Sequence, residues 1–305
     1  MSSSTQRERI ARGCEICGAT DARELYTARD AHSNTEATFS IVECCGCGVL
    51  RTLPEMTACE LAAFYPEAYW GEEQEPSESW IRRSQSERVR LLSKWGLGGG
   101  RILDVGCGSG FFLRALDAGT WDRFGVEIGT AAAKLASQAL GADRVFRGTL
   151  AQARLDDETF DVITYWSSLE HTNDPRANLL EARRVVRTGG TIIVQVPNVA
   201  SYQARLFGPD WFALDVPRHR YHFTKRTLDL LMAECGFRPD RVTFYSKNHN
   251  AHSLKHSFKT WLFKGGRSAL GVGSYYAAAW LAKPVDLVMS ALDEGATLTV
   301  AARAV

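Results

Sequence analysis

Between residues 101 and 196, short apolar runs alternate with stretches whose apolar positions recur every three or four residues. These are the signatures of buried strands and amphipathic helices. The runs at 101–105, 123–127, 144–147, 160–165 and 191–196 predict strands. Helices are predicted at 111–118, at the Ala-rich 130–140 stopped by Gly141, and at 175–187, with Asp174 as cap and Gly189-Gly190 beyond its end. Near-continuous apolar strands separated by helices imply a parallel sheet covered on both faces, a doubly wound α/β fold.

The flanks read differently. Residues 39–43 alternate apolar and polar like a strand, and 56–95 are helical and charged, with an aromatic stretch holding Tyr65, Tyr69 and Trp70. Gly96-Leu-Gly-Gly-Gly100 is a hinge or loop. After Pro197 come a helix at 224–235 ended by Gly236, a strand at 241–245, a mostly helical insert at 249–294 and a last strand at 297–302. The expected segments are 10–55, a small cysteine-bearing module; 56–98, a helical linker or lid; and 99–305, the α/β domain with its insert.

Composition narrows the function. With 45% hydrophobic and 23% charged residues, the 305-residue chain can bury a core, which excludes disordered and disulfide-stapled classes. Lys and Arg number 36 against 35 acids, a net charge of +1 that argues against a nucleic-acid-wrapping role. There is no signal-peptide core at the start and no run of 18 apolar residues, so a cytoplasmic protein without a membrane span is expected. In that compartment clustered cysteines are metal ligands before they are disulfides.

Cys14-Glu-Ile-Cys17 and Cys44-Cys-Gly-Cys47 are each followed by Gly and lie 26 residues apart. Each pair offers two thiolates from one turn, so Cys14, Cys17, Cys44 and Cys47 together meet the needs of a closed structural Zn2+ site, a zinc ribbon. Cys45 is off the spacing; Cys59, Cys107 and Cys235 read as small core residues.

The most informative stretch is Asp104-Val-Gly-Cys-Gly-Ser-Gly-Phe111, where a buried strand passes through glycines into a helix. Glycines there let a ligand approach the main chain. Glu127, 21 residues after Gly106 at the end of the next strand, is placed to accept bonds from both hydroxyls of a ribose. The spacing is GxGxG rather than GxGxxG, which favours an adenosine-bearing ligand other than NAD.

These residues resemble the class I S-adenosylmethionine-dependent methyltransferases. Phe160-Asp-Val-Ile-Thr-Tyr-Trp-Ser-Ser-Leu-Glu-His171 is similar to their fourth-strand motif. Arg184 to Val194 is similar to the helix, double glycine and fifth strand that follow, and 217–224 to a small-molecule-modifying subgroup that includes quinone and sugar methyltransferases. The resemblance covers residues 99–246. It implies a Rossmann-like, seven-stranded, mostly parallel sheet and S-adenosylmethionine as cofactor. The implied cofactor contacts are Asp104, Gly106, Cys107, Gly108, Gly110, Phe111, Glu127, Ile128, Thr149, Leu150, Trp166 and Ser167. After the third strand, where many relatives carry an acid, this chain has Gly148-Thr149-Leu150.

Methyl transfer to a hydroxyl or activated carbon needs a base, and His is the usual one. His171, His219 and His222 are the candidates, with His219 preferred; Arg218 and Arg220 are candidates for an acidic substrate group or for pairing with Asp215. In 251–264, Leu254, Phe258, Trp261 and Leu262 share a helical face, with Lys255, Lys259 and Lys264 elsewhere. Such a helix covers a pocket, joins a homodimer, or rests on a membrane surface in peripheral contact. The expected activity is methylation of oxygen or carbon of a small metabolite, a sugar or secondary-metabolite intermediate. The alternatives are a quinone or lipid-linked substrate, an RNA methyltransferase guided by the ribbon, and a non-catalytic zinc-ribbon scaffold with a degenerate domain.

Overall fold

A computed structural model describes residues 13–30, 37–57, 60–61, 63–65, 76–263, 277 and 280–305. Cys59, Tyr69, Trp70 and Lys264 lie outside the described residues, as do the side chain of Leu262 and part of the expected insert.

The chain opens with three antiparallel strands, β1 (Ala22–Arg29), β2 (Thr38–Cys44) and β3 (Leu50–Leu53). Helix α1 (Glu78–Lys94) follows. Ser77 caps it by accepting from Trp80 N, Glu78 and Lys94 suit the poles of its dipole, and Ile81 and Leu92 are its buried anchors. Then come β4 (Gly100–Val105), α2 (Phe111–Ala115), β5 (Trp121–Glu127), α3 (Thr130–Leu140), β6 (Val145–Arg147), β7 (Phe160–Trp166), α4 (Pro175–Val185) and β8 (Val186–Pro197). Asp174 accepts from Ala177 N at 2.8 Å and Pro175 opens α4, the arrangement its sequence predicts. The chain ends with α5 (Tyr202–Phe207), β9 (Tyr221–His222), α6 (Lys225–Glu234), β10 (Phe237–Thr243), α7 (Lys247–Phe263), α8 (Lys283–Ala291) and β11 (Thr297–Ala304).

Seven strands form the main sheet in the order β10-β11-β8-β7-β4-β5-β6, with β11 antiparallel to both neighbours. This is the mostly parallel, doubly wound sheet expected. Alternation along the strands sorts side chains between two cores. Leu103, Val105, Ile163, Tyr165, Ile192 and Val194 enter one; Ile102, Val162, Trp166 and Ile193 face α1 and α2 in the other. The last strand of the pattern is longer than expected, since β8 begins at Val186 where the helix was to continue. The strand expected at 241–245 lies at 237–243. It is an edge strand with alternating half-exposed positions and a register shift after Pro239, so its apolar signal is weak.

A second sheet, β1-β2-β3-β9, holds the cysteine module. Its fourth strand comes from the distant residues Tyr221 and His222, paired with Arg51 and Leu50. Cys14, Ile16, Cys44, Cys47 and Val49 pack in the same core as β7 and β8, and Ala28, Phe39 and Ile41 pack against Trp211, Leu214 and Leu254. The amino-terminal segment is thus built into the main body. In α7, Leu254 is buried and Phe258 stacks edge-on with Phe207 at 5.1 Å, so the apolar face expected on that helix packs inward; Trp261 stays half exposed. No described helix is long and apolar enough to cross a membrane.

Candidate active site

The glycine loop sits between the carboxyl end of β4 and α2. Gly106, Gly108 and Gly110 all have left-handed backbones, with φ of 77°, 55° and 77°. A Cβ at Gly106 would stand 2.6 Å from Ser168 Cβ, whereas at Gly108 it would meet nothing within 4 Å. Gly106 is therefore required by packing, and Gly108 leaves the loop open toward a ligand. Glu127 closes the other side. One carboxylate oxygen accepts from Gly108 N at 2.8 Å and the other from Gly129 N at 2.6 Å, and the residue is buried. Each oxygen keeps a lone pair for a ribose hydroxyl. Asp104 lies beneath the loop, accepting from Thr164 Oγ1 at 2.7 Å; burial raises its pKa to about 7 despite that bond.

Beside Glu127, Ile128 is two-thirds exposed, an unusual position for so large an apolar side chain at a strand end. Thr149 is engaged with Gln152 through its amide and hydroxyl, and Leu150 is fully buried, leaving its main chain as the part that can face a purine. Cys107 is buried, with its Sγ toward Gly125, and Phe111 stacks edge-on with Trp80 at 6.1 Å. Across the loop, at the end of β7, Trp166 is buried against Phe112 at 5.2 Å, and its Nε1 has no hydrogen-bond partner among the described residues. Ser167 follows with φ of 56°, a strained value at the strand end. These features fit an adenosyl ligand: an open main chain, a paired-acceptor carboxylate and an exposed apolar platform.

The histidines converge from two loops. His171 and His219 rings meet edge-on with centroids 4.6 Å apart; His222 is 6.5 Å from His219. His171 Nδ1 lies 3.1 Å from Arg218 O, and His219 Nδ1 lies 3.0 Å from Ala213 O. A carbonyl can only accept, so each Nδ1 carries the proton and each Nε2 keeps a free lone pair. Burial holds His171 down at about 3 and His219 at about 4, with Asp215 opposing both shifts. The Asp215 carboxylate is 3.6 Å from His219 Nε2. His222 is turned away: its Nε2 pairs with Thr52 Oγ1 at 2.9 Å inside the small sheet.

Glu170 is the residue that sequence reasoning passed over, although it adjoins His171. It is wholly buried, 3.9 Å from His219 Nε2, and neither carboxylate oxygen has a hydrogen-bond partner among the described residues. Burial pushes it up to about 8. Tyr65 comes in from the amino-terminal segment, with its hydroxyl 3.5 Å from His171 Nδ1. Of the two uses expected for Arg218 and Arg220, an acidic substrate group or pairing with Asp215, Arg218 shows the pairing, and Arg220 is bonded elsewhere. Arg218 is fully buried between Asp30 and Asp215 and donates to Phe64 O, while Arg220 donates to Met56 O and to Asn173. An arginine balanced by two carboxylates has no charge to spare for an anion.

The four cysteine sulfurs lie within 4.8 Å of one another, with Cys14 to Cys47 at 3.8 Å and Cys17 to Cys44 at 3.5 Å. A tetrahedron with Zn–S bonds of about 2.3 Å demands S–S separations near 3.8 Å. Gly18 and Gly48, with φ of 75° and 79°, complete the two turns, and their amides donate to Cys14 O and Cys44 O. The donor set fits structural zinc.

Residues 77–242, more than half of the chain, match the model of the methyltransferase-domain family. The chain belongs to that family. Among relatives of this methyltransferase domain, the ubiquinone biosynthesis O-methyltransferase of Pseudomonas entomophila (strain L48) is 30% identical over 154 residues, covering 48% of this chain and 62% of the relative. The enzyme of the same name from Pseudomonas putida (strain W619) gives the same identity and coverage. The matched segment thus spans about three fifths of these relatives. Among solved structures, the geranyl diphosphate C-methyltransferase of Streptomyces coelicolor A3(2) superposes with a TM-score of 0.50 at 16% identity, covering 79% of this chain and 89% of the other. At that identity the likeness is one of fold.

Proposed function

We propose that this protein is an S-adenosylmethionine-dependent methyltransferase acting on oxygen or carbon of a small metabolite, a sugar or secondary-metabolite intermediate. The observation that carries this reading is the open Gly108 main chain facing the buried Glu127 carboxylate. When bound, the cofactor supplies a sulfonium-activated methyl group. The chain's residues do the rest. Gly106 to Gly110 and Glu127 hold the adenosyl part, Ile128, Thr149 and Leu150 border the purine, and Asp104, Trp166 and Ser167 shape the end nearer the acceptor. His219 Nε2 takes the acceptor's proton, and the Asp215 carboxylate, 3.6 Å away, stabilises the imidazolium so formed. His171 packs against His219 and fixes its ring, while His222 ties the loop to the small sheet. Zinc at the four cysteines is structural in this reading.

A quinone acceptor is the second reading, favoured by the names of the curated relatives. Calorimetry with S-adenosylmethionine tests the core of the proposal: binding is expected in the wild type and loss of affinity in Glu127→Ala. His219→Ala should keep the cofactor and lose turnover; unchanged turnover removes it as the base. Absence of any cofactor binding would favour a non-catalytic scaffold.

A further inference from the structure

A groove of about 1120 Å³ runs along α1, with its far wall formed by β10, β11 and the start of α7. Small-molecule sites are commonly about 300–1,000 Å³, so the volume suits a ligand of metabolite size or somewhat larger. Among the described residues five cations line it: Arg83, Arg88, Arg90, Lys94 and, from the opposite wall, Lys247. The chain as a whole is nearly neutral, so this is segregation of charge and not general basicity. The lining acid, Glu87, is already used: one oxygen accepts from Lys247 N at 2.9 Å and the other from Ser246 Oγ at 3.3 Å. Among the described residues no carboxylate pairs with any of the five cations; Arg90 donates to Ser86 Oγ, and Arg88 meets Gln195 and His249.

The groove adjoins the end of β7 through Arg88. Arg88, on its floor, lies over the Trp166 ring at 5.0 Å, and Gln195 is the register partner of Trp166 on the neighbouring strand. Arg83, Arg90 and Lys94 fall seven and four residues apart, one stripe of the helix about 16 Å long at 1.5 Å per residue. An anionic group held on that stripe would lie in the same groove as Arg88, which stands over Trp166 at the end of β7. The buried Arg218 cannot serve this purpose, being neutralised by Asp30 and Asp215.

We propose that the α1 groove seats the phosphate or diphosphate group of a soluble, phosphorylated acceptor. The inference rests on the methyltransferase reading and names its substrate class. The cations, with hydroxyl and amide groups such as Ser84, Gln195 and Thr299 among them, favour a charged, soluble ester over a lipid.

The test is calorimetry on the full chain with uridine 5′-diphosphate and inorganic pyrophosphate as probes. It uses the wild type, the triple variant Arg83→Ala/Arg90→Ala/Lys94→Ala, and Lys247→Ala on the other wall. Binding by the wild type should weaken as salt rises, and the triple variant should lose on the order of tenfold or more in affinity, the scale expected for charge-assisted contacts. Lys247→Ala should lose affinity in the same direction. The three α1 side chains are outside the cofactor site, so S-adenosylmethionine binding should be unchanged in the triple variant. That measurement separates failure of this proposal from failure of the methyltransferase reading. Absence of diphosphate binding by the wild type, or binding indifferent to both variants, overturns the proposal. Tighter binding of a short RNA than of the diphosphate, or retention on vesicles containing phosphatidic acid, overturns it in favour of a different partner.

Discussion

Gly106 and Gly108 share a left-handed backbone and differ in what surrounds them, so the same substitution should separate two roles. Gly108→Ala places a methyl group in open space at φ 55°. It should cost about 1–2 kcal/mol of backbone strain while sharply weakening cofactor affinity. Gly106→Ala adds a clash with Ser168 Cβ and should cost more in melting temperature. Thermal scans read the first difference and calorimetry the second; equal melting temperatures would contradict the packing argument. His219 supports a prediction in pH. With its pKa held at about 4, the acid limb of kcat/KM should fall below about pH 5 instead of near the free value of 6.5. The loop and Glu127 were legible in the sequence because a tight turn and its acid belong to one βαβ unit. Glu170 was not, because what distinguishes it is the lack of a partner in a buried place.

Among the elements, β9 matters most to the site although it has only two residues. By pairing with β3 it fastens the loop that carries His219 to the sheet bearing the cysteines, and Thr52 Oγ1 donates to His219 O at 2.7 Å from the same sheet. Arg218 adds a second tie, to Asp30 at the end of β1. Removing one partner of a buried ion pair typically costs about 3–5 kcal/mol, so Asp30→Ala should lower the melting temperature strongly. It should also reduce turnover while leaving cofactor affinity near wild type, since the glycine loop lies elsewhere. Withdrawal of metal by a chelator should act in the same direction, with loss of turnover tracking loss of zinc by elemental analysis. Retention of full turnover without zinc would separate the cysteine module from catalysis. None of this coupling could be read from the cysteine spacing, which describes a local turn and says nothing of the strand that pairs beside it.

For the molecule as a whole, buried titratable groups set the response to acid. His171, His219, His222 and His249 are held neutral at about 3, 4, 4 and 3, in each case mainly by burial. Each takes up a proton on unfolding below its free value of 6.5, so their contribution to stability is lost as pH falls toward 4. Asp104 and Glu170, raised to about 7 and 8, and Asp286, also raised by burial, work the other way, but three groups do not cancel four. Between about pH 6 and 5 the melting temperature should fall, with net proton uptake on unfolding; calorimetry in buffers of different ionisation enthalpy measures it, and proton release would contradict it. At this scale the division between sequence and fold is clear. Apolar periodicity, the glycine spacing and the capping residues determined the strands, helices and cofactor loop, because each depends on neighbours a few positions away. Tertiary structure decided which sheet His222 joins, why Arg218 is spent on Asp30 and Asp215, where Glu170 is stranded and how the α1 cations come to share a groove with Lys247. Those outcomes depend on distant segments meeting and on which groups lose water when they do, and linear spacing records neither.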